Sequence, residues 1–95
     1  MAIVITKEMG LTHRDFYRSF AAVAAESEWQ VDGCVVTLQH PTGPIKIYLG
    51  PERRRQIARV SLPVTTLRFE FSHDKQPEVD AFMQRFDLCF RRGGG

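Results

Sequence analysis

Leu67, Phe69 and Phe71 alternate with Arg68 and Glu70, a period of two that only a strand with one buried and one wet side can satisfy. Ile45, Ile47 and Leu49 alternate with Lys46 and Tyr48 in the same way. A second period lies at the two ends of the chain. Phe16, Phe20 and Val23 recur on one helical stripe, with Ala24 beside it and Arg14 and Arg18 turned away. Val79, Phe82, Met83, Phe86, Cys89 and Phe90 recur at offsets of three, four and seven, with Leu88 pointing outward. One-sided strands between one-sided helices predict an α+β two-layer sandwich. An antiparallel sheet of about four to five strands carries both amphipathic helices, one near the N-terminus and one C-terminal, on a single face.

Local signals place the elements. Ile3–Ile5 is a short β-rich segment that ends by Gly10. Thr12 and Asp15 have the spacing of a capping box, with Asp for the usual Glu or Gln, and Leu11 and Phe16 that of a hydrophobic staple. Asp32-Gly33 reads as a type I′ turn between Trp29–Val31 and Cys34–Leu38, with Trp29, Val31, Cys34, Val36 and Leu38 on one face. Pro41–Pro44 and Gly50-Pro51 are further breaks. Residues 57–62 are a possible short strand with Ala58, Val60 and Leu62 inward, interrupted by Pro63. Pro77 suits the first position of the last helix, and Gly93 its stop. The expected organisation is one domain over residues 1–92 and a flexible glycine tail over 93–95.

Composition narrows the class. Of the 95 residues, 43% are hydrophobic and 25% charged, which excludes a disordered chain. Two cysteines, Cys34 and Cys89, are too few for a disulfide scaffold; both are expected to fill the core of a protein in a reducing compartment, the cytoplasm. No apolar run approaches the ~20 residues of a membrane span, and Met1–Lys7 lacks the pattern of a signal peptide. Residues 33–72 carry six basic and two acidic groups, so the excess charge lies mid-chain. The overall net charge of +2 is well short of the basicity typical of nucleic-acid binders.

A sheet covered on one face leaves the other open. Lys46, Tyr48, Arg59 and Arg68 are expected there, with Gln30, Val35 and Thr37. Basic groups that track phosphate and a ring for a base to stack on would make this a single-stranded RNA or DNA platform, though Tyr48 is its only ring. Arg53-Arg54-Arg55, placed in a loop after Gly50-Pro51, could grip a phosphate or an acidic protein surface, with Glu52 pairing one of them. His13 beside Asp15 and Tyr17 is the candidate general base. His40 and His73 border turns. No cysteine has a His or Cys neighbour at zinc spacing, no glycine-rich loop has a P-loop setting, and no Ser nucleophile motif occurs, so no metal and no cofactor is expected.

Arg91-Arg92-Gly93-Gly94-Gly95 resembles the basic diglycine tail of ubiquitin-like carriers. That resemblance implies a terminal carboxylate activated and joined to sulfur or an amine. It covers five residues, and here the tail follows a helix, ends in three glycines and belongs to a different order of elements. The leading expectation is a non-catalytic interaction module that binds a protein partner or itself as a homodimer, through the open sheet face or the arginine loop. Single-stranded nucleic-acid binding on the same face is the alternative; the carrier and a His13-centred enzyme follow.

Overall fold

A computed structural model describes residues 3–24 and 27–92, so the expected helix stop at Gly93 and the glycine tail lie outside the described residues. The chain runs β1 (Ile3–Met9), α1 (His13–Ala24), β2 (Trp29–Asp32), β3 (Val35–His40), β4 (Gly43–Leu49), β5 (Arg53–Ile57), β6 (Val60–Phe71) and α2 (Gln76–Arg92). All ladders are antiparallel, in the order β1-β6-β4-β3-β2, and β5 pairs β6 alone. The fold is the expected α+β arrangement.

Both helices form where their local chemistry places them. Thr12 Oγ1 accepts the Asp15 N–H at 3.1 Å and Asp15 Oδ2 reaches back to the Thr12 N–H at 3.5 Å, the reciprocal pattern of a capping box. Leu11 and Phe16, the staple pair, are both buried. α2 begins at Gln76, with Pro77 in the first turn, where a missing N–H costs no helical bond.

The core lies between the helices and one sheet face. Phe16 and Phe20 of α1 and Phe82, Phe86 and Phe90 of α2 meet Val36, Leu38, Ile45, Ile47, Leu67, Phe69 and Phe71 of the sheet. Phe86 stands edge-on to Phe69 at 4.9 Å between ring centres and stacks on Phe90 at 4.2 Å. Phe90 also lies 5.5 Å from Phe16, which ties the two helices together above the sheet. Cys89 packs against this core, and Leu88 is exposed as the stripe predicts.

Two turns differ from expectation. The β2–β3 turn is Gly33-Cys34, one residue later than Asp32-Gly33, because Asp32 pairs with Val35. Gly33 has φ +62° and is the only residue of that turn with positive φ, the sign pattern of a type II′ turn, which wants glycine first. The shift moves the pairing by two residues, so Trp29, Val31, Val36 and Leu38 keep one face. Cys34 is instead drawn into the turn and exposed, not buried in the core. The second correction concerns residues 57–62. The chain reverses at Ala58-Arg59, and the strand that follows runs from Val60 straight through Pro63 to Phe71.

Candidate functional site

The helix-free face is built from two cross-strand rows. Thr6, Arg68, Tyr48, Val35 and Asp32 form one, and Val4, Glu70, Lys46, Thr37 and Gln30 the other. Lys46, Tyr48 and Arg68 therefore lie together, with Gln30, Val35 and Thr37, where alternation places them. Arg59 does not: it sits in the turn after Ile57. The face is also not a basic stripe. Glu70 lies beside Lys46 and Arg68, Asp32 ends the first row, and Glu8 lies on the same side of β1.

The most distinctive feature lies beyond the helices. β4 pairs with β6 as far as Leu49↔Leu67, and pairing resumes in β5 at Arg53↔Val64. Residues 50–52 thus face only residues 65–66, a one-residue bulge around Pro51, with the Gly50 N–H on Thr66 O at 2.8 Å. β5 and the first part of β6 then continue as a two-stranded ribbon. The molecule is 44 Å long and only 26 and 25 Å across, and the twelve residues of β6, at about 3.3 Å each, are enough to run through both the sheet and the ribbon.

Arg53-Arg54-Arg55 is therefore a strand in this ribbon and not a loop, and all five residues of β5 are exposed. Between Arg53 and Val64 the ribbon holds four arginines and no acid. Arg53, Arg55 and Ile57 pair with Val64, Leu62 and Val60, so these six share one face, and Arg54 and Gln56 lie on the other with Pro63 and Ser61. Ile57, Val60 and Leu62 are 55%, 54% and 44% exposed, against the inward positions expected of Val60 and Leu62; Ala58 is exposed too. Val64 is buried as the floor of a depression rimmed by Glu8 and the three arginines. Glu8 of β1 holds the base of the ribbon by ion pairs to Arg55 and, at 3.7 Å, Arg53.

The histidine site takes a structural form. His13 Nε2–H donates to the Gly50 carbonyl at 2.6 Å, and the His13 N–H donates to Glu52 Oε1 at 2.6 Å. Glu52 thus caps α1, where a carboxylate meets free N–H groups and the positive end of the helix dipole, and it has no ion pair with an arginine among the described residues. Asp15 is committed to Thr12 and to Arg18 at 3.0 Å. Among the described residues no three His, Cys, Asp or Glu side chains gather closely enough to hold a metal ion, and no helix is long and apolar enough to cross a membrane.

Sequence reasoning missed the ribbon. Its one signal is the alternation of Val60, Leu62 and Val64 with Ser61 and Pro63, which marks a strand but not what covers it. Together the fold and the site define an α+β sandwich from which a cationic β-ribbon projects. Comparison of the chain with protein-family models, with curated proteins and with solved structures gives no match.

Proposed function

We propose that this protein is a non-catalytic interaction module that grips an acidic protein partner through the ribbon formed by β5 and the start of β6. The observation that carries the reading is the ribbon's composition: exposed Ile57, Val60 and Leu62 on the same face as Arg53 and Arg55, with no acid among residues 53–64. Apolar side chains cost free energy in water, and an apolar centre with arginines around it has the make-up of a protein interface. The uniform positive charge selects an acidic surface and opposes ribbon-to-ribbon pairing of two copies. A reducing, cytoplasmic setting accompanies this reading; two free thiols, one of them exposed in the β2–β3 turn, support it.

The test is affinity capture by the immobilised full chain, comparing wild type with Ile57→Ser/Leu62→Ser and with Lys46→Ala/Tyr48→Ala. The ribbon variant is expected to lose the captured proteins and the sheet-face variant to keep them, with unchanged circular dichroism in both. Retention by the ribbon variant overturns the reading. So does capture abolished by nuclease, which would assign the ribbon to nucleic acid.

A further inference from the structure

We infer that the free edge of β5, Arg53–Ile57, receives an extended acidic segment of the partner as an added strand. The inference rests on the ribbon reading above and names what the ribbon recognises.

Among the described residues β5 is hydrogen-bonded along one edge only, to β6. The neighbour that covers β4 does not reach it: β3 starts opposite Tyr48, with a last backbone bond from the Leu49 N–H to Cys34 O at 2.8 Å. The other edge of β5 therefore presents backbone N–H and C=O groups with no ladder partner, and none of its five residues is a proline. Such an edge is a template for another strand. The ribbon's second free edge is weaker, because β1 stops at Met9↔Thr65 and residues 60–64 include Pro63, which has no N–H to offer.

Charge decides which strand fits. Natural edges are blunted with charged side chains, and here the charge has a single sign. A second copy of β5 would set arginine against arginine, and like charges directly opposite destabilise a pair. An acidic strand meets the reverse situation. Arg53 and Arg55 share the single carboxylate of Glu8, so one positive charge of that group of three stays uncompensated. Arg54 lies on the other ribbon face and has no ion pair or hydrogen bond among the described residues. Side chains of an added strand would stand about 5 Å from those of β5. Acidic residues beside Arg54 and Arg55 and an apolar one beside Ile57 would complement those three side chains.

The probe is a short peptide, Val-Thr-Glu-Glu-Thr-Val, whose adjacent glutamates can stand beside Arg54 and Arg55 and whose valine can stand beside Ile57, added to the full chain while backbone amide exchange is followed by NMR. Amides within Arg53–Ile57 are expected to exchange about tenfold more slowly with this peptide. The same peptide with lysine for glutamate, or with a central proline, is expected to leave them unchanged. Equal protection by the proline peptide, or none by the glutamate peptide, overturns strand addition. Displacement of the peptide by a DNA duplex that protects the same amides overturns it as well. If the peptide fails while Ile57→Ser/Leu62→Ser still abolishes partner capture, the ribbon reading stands and strand addition alone falls. If that variant also retains its partners, both fall.

Discussion

The guanidinium carbon of Arg68 lies 4.4 Å from the centre of the Tyr48 ring, so the one tyrosine of the helix-free sheet face already carries a cation on its π surface. The cluster closes through Glu70, which accepts the Tyr48 hydroxyl at 3.1 Å and pairs with Arg68 at 3.4 Å. A nucleobase would have to displace Arg68 to stack there. A cation over a ring at an exposed site is worth about 0.5–1 kcal/mol. A urea-denaturation cycle of Tyr48→Leu and Arg68→Met is therefore expected to give a coupling energy of that size. Labelled single-stranded RNA at low salt is expected to bind wild type and Tyr48→Leu equally. A large loss on that substitution would restore the sheet face as a stacking platform.

Tyr17 titrates above the ordinary 10.0 of a phenol, chiefly because burial disfavours the phenolate and secondarily because the Cys34 thiolate lies near it. The unfolded chain therefore ionises first as pH rises. This contribution to stability is intact below pH 10 and is lost as pH climbs from there through the folded-state value. The chain has two tyrosines, so Tyr48→Phe leaves Tyr17 as the sole phenol for an absorbance titration. Its midpoint is expected above 10.0, and Cys34→Ser is expected to move it toward that value without reaching it, since burial remains. An unchanged midpoint would remove Cys34 from the explanation.

The three histidines hold their proton on Nε2, and each tautomer follows from its partners. The His13 Nε2 faces a carbonyl, which can only accept. His73 Nδ1 accepts the Lys75 N–H at 3.1 Å, so its Nε2–H donates to Thr42 Oγ1, also at 3.1 Å. The Thr42 hydroxyl then gives its own proton to His40 Nδ1 at 2.8 Å, which also takes the Thr42 N–H. Long-range proton–nitrogen correlation spectra are expected to report the Nε2–H form for all three rings. Thr42→Val removes the bridge between the β3–β4 turn and the segment before α2. It is expected to cost about 1–2 kcal/mol for two part-buried hydrogen bonds and to speed amide exchange at Lys75.

What could be read in the sequence was whatever is local or periodic. Thr12 with Asp15, the Val79–Phe90 stripe and the alternations at Ile45–Leu49 and Leu67–Phe71 each state their own geometry, and the fold contains all of them. Cys34 was misplaced because a one-residue change of turn converts a strand position into a turn position while leaving its neighbours' faces intact. The ribbon was illegible for a different reason. Three successive arginines have no alternation to read, and apolar residues such as Val60 and Leu62 look the same on paper whether a core or a partner covers them. Alternation alone puts Lys46, Tyr48 and Arg68 on the sheet face, but only the strand register brings Glu70 and Glu8 to balance their charge.

Ala58 marks where the ribbon is strained. It opens the turn at φ +55°, a left-handed conformation that costs an L-residue roughly 1–2 kcal/mol, at the place where the β2–β3 turn uses Gly33 at φ +62°. Ala58→Gly removes that strain and adds about 0.5–1 kcal/mol of backbone entropy loss, so a net gain of about 0.5–1 kcal/mol is expected. The gain should appear locally. Of the twelve ribbon residues only Val64 is buried, so the ribbon can open while the phenylalanine core stays shut. Amides of Arg53–Ile57 and Val60–Val64 are expected to exchange severalfold more slowly in Ala58→Gly, with little change in Tm. Ala58→Val, which puts a β-branched residue at positive φ, is expected to do the reverse. A stiffer ribbon loses less entropy on docking, so Ala58→Gly should also hold its partner longer. Faster exchange in the glycine variant would mean that the turn is not the weak point of the ribbon.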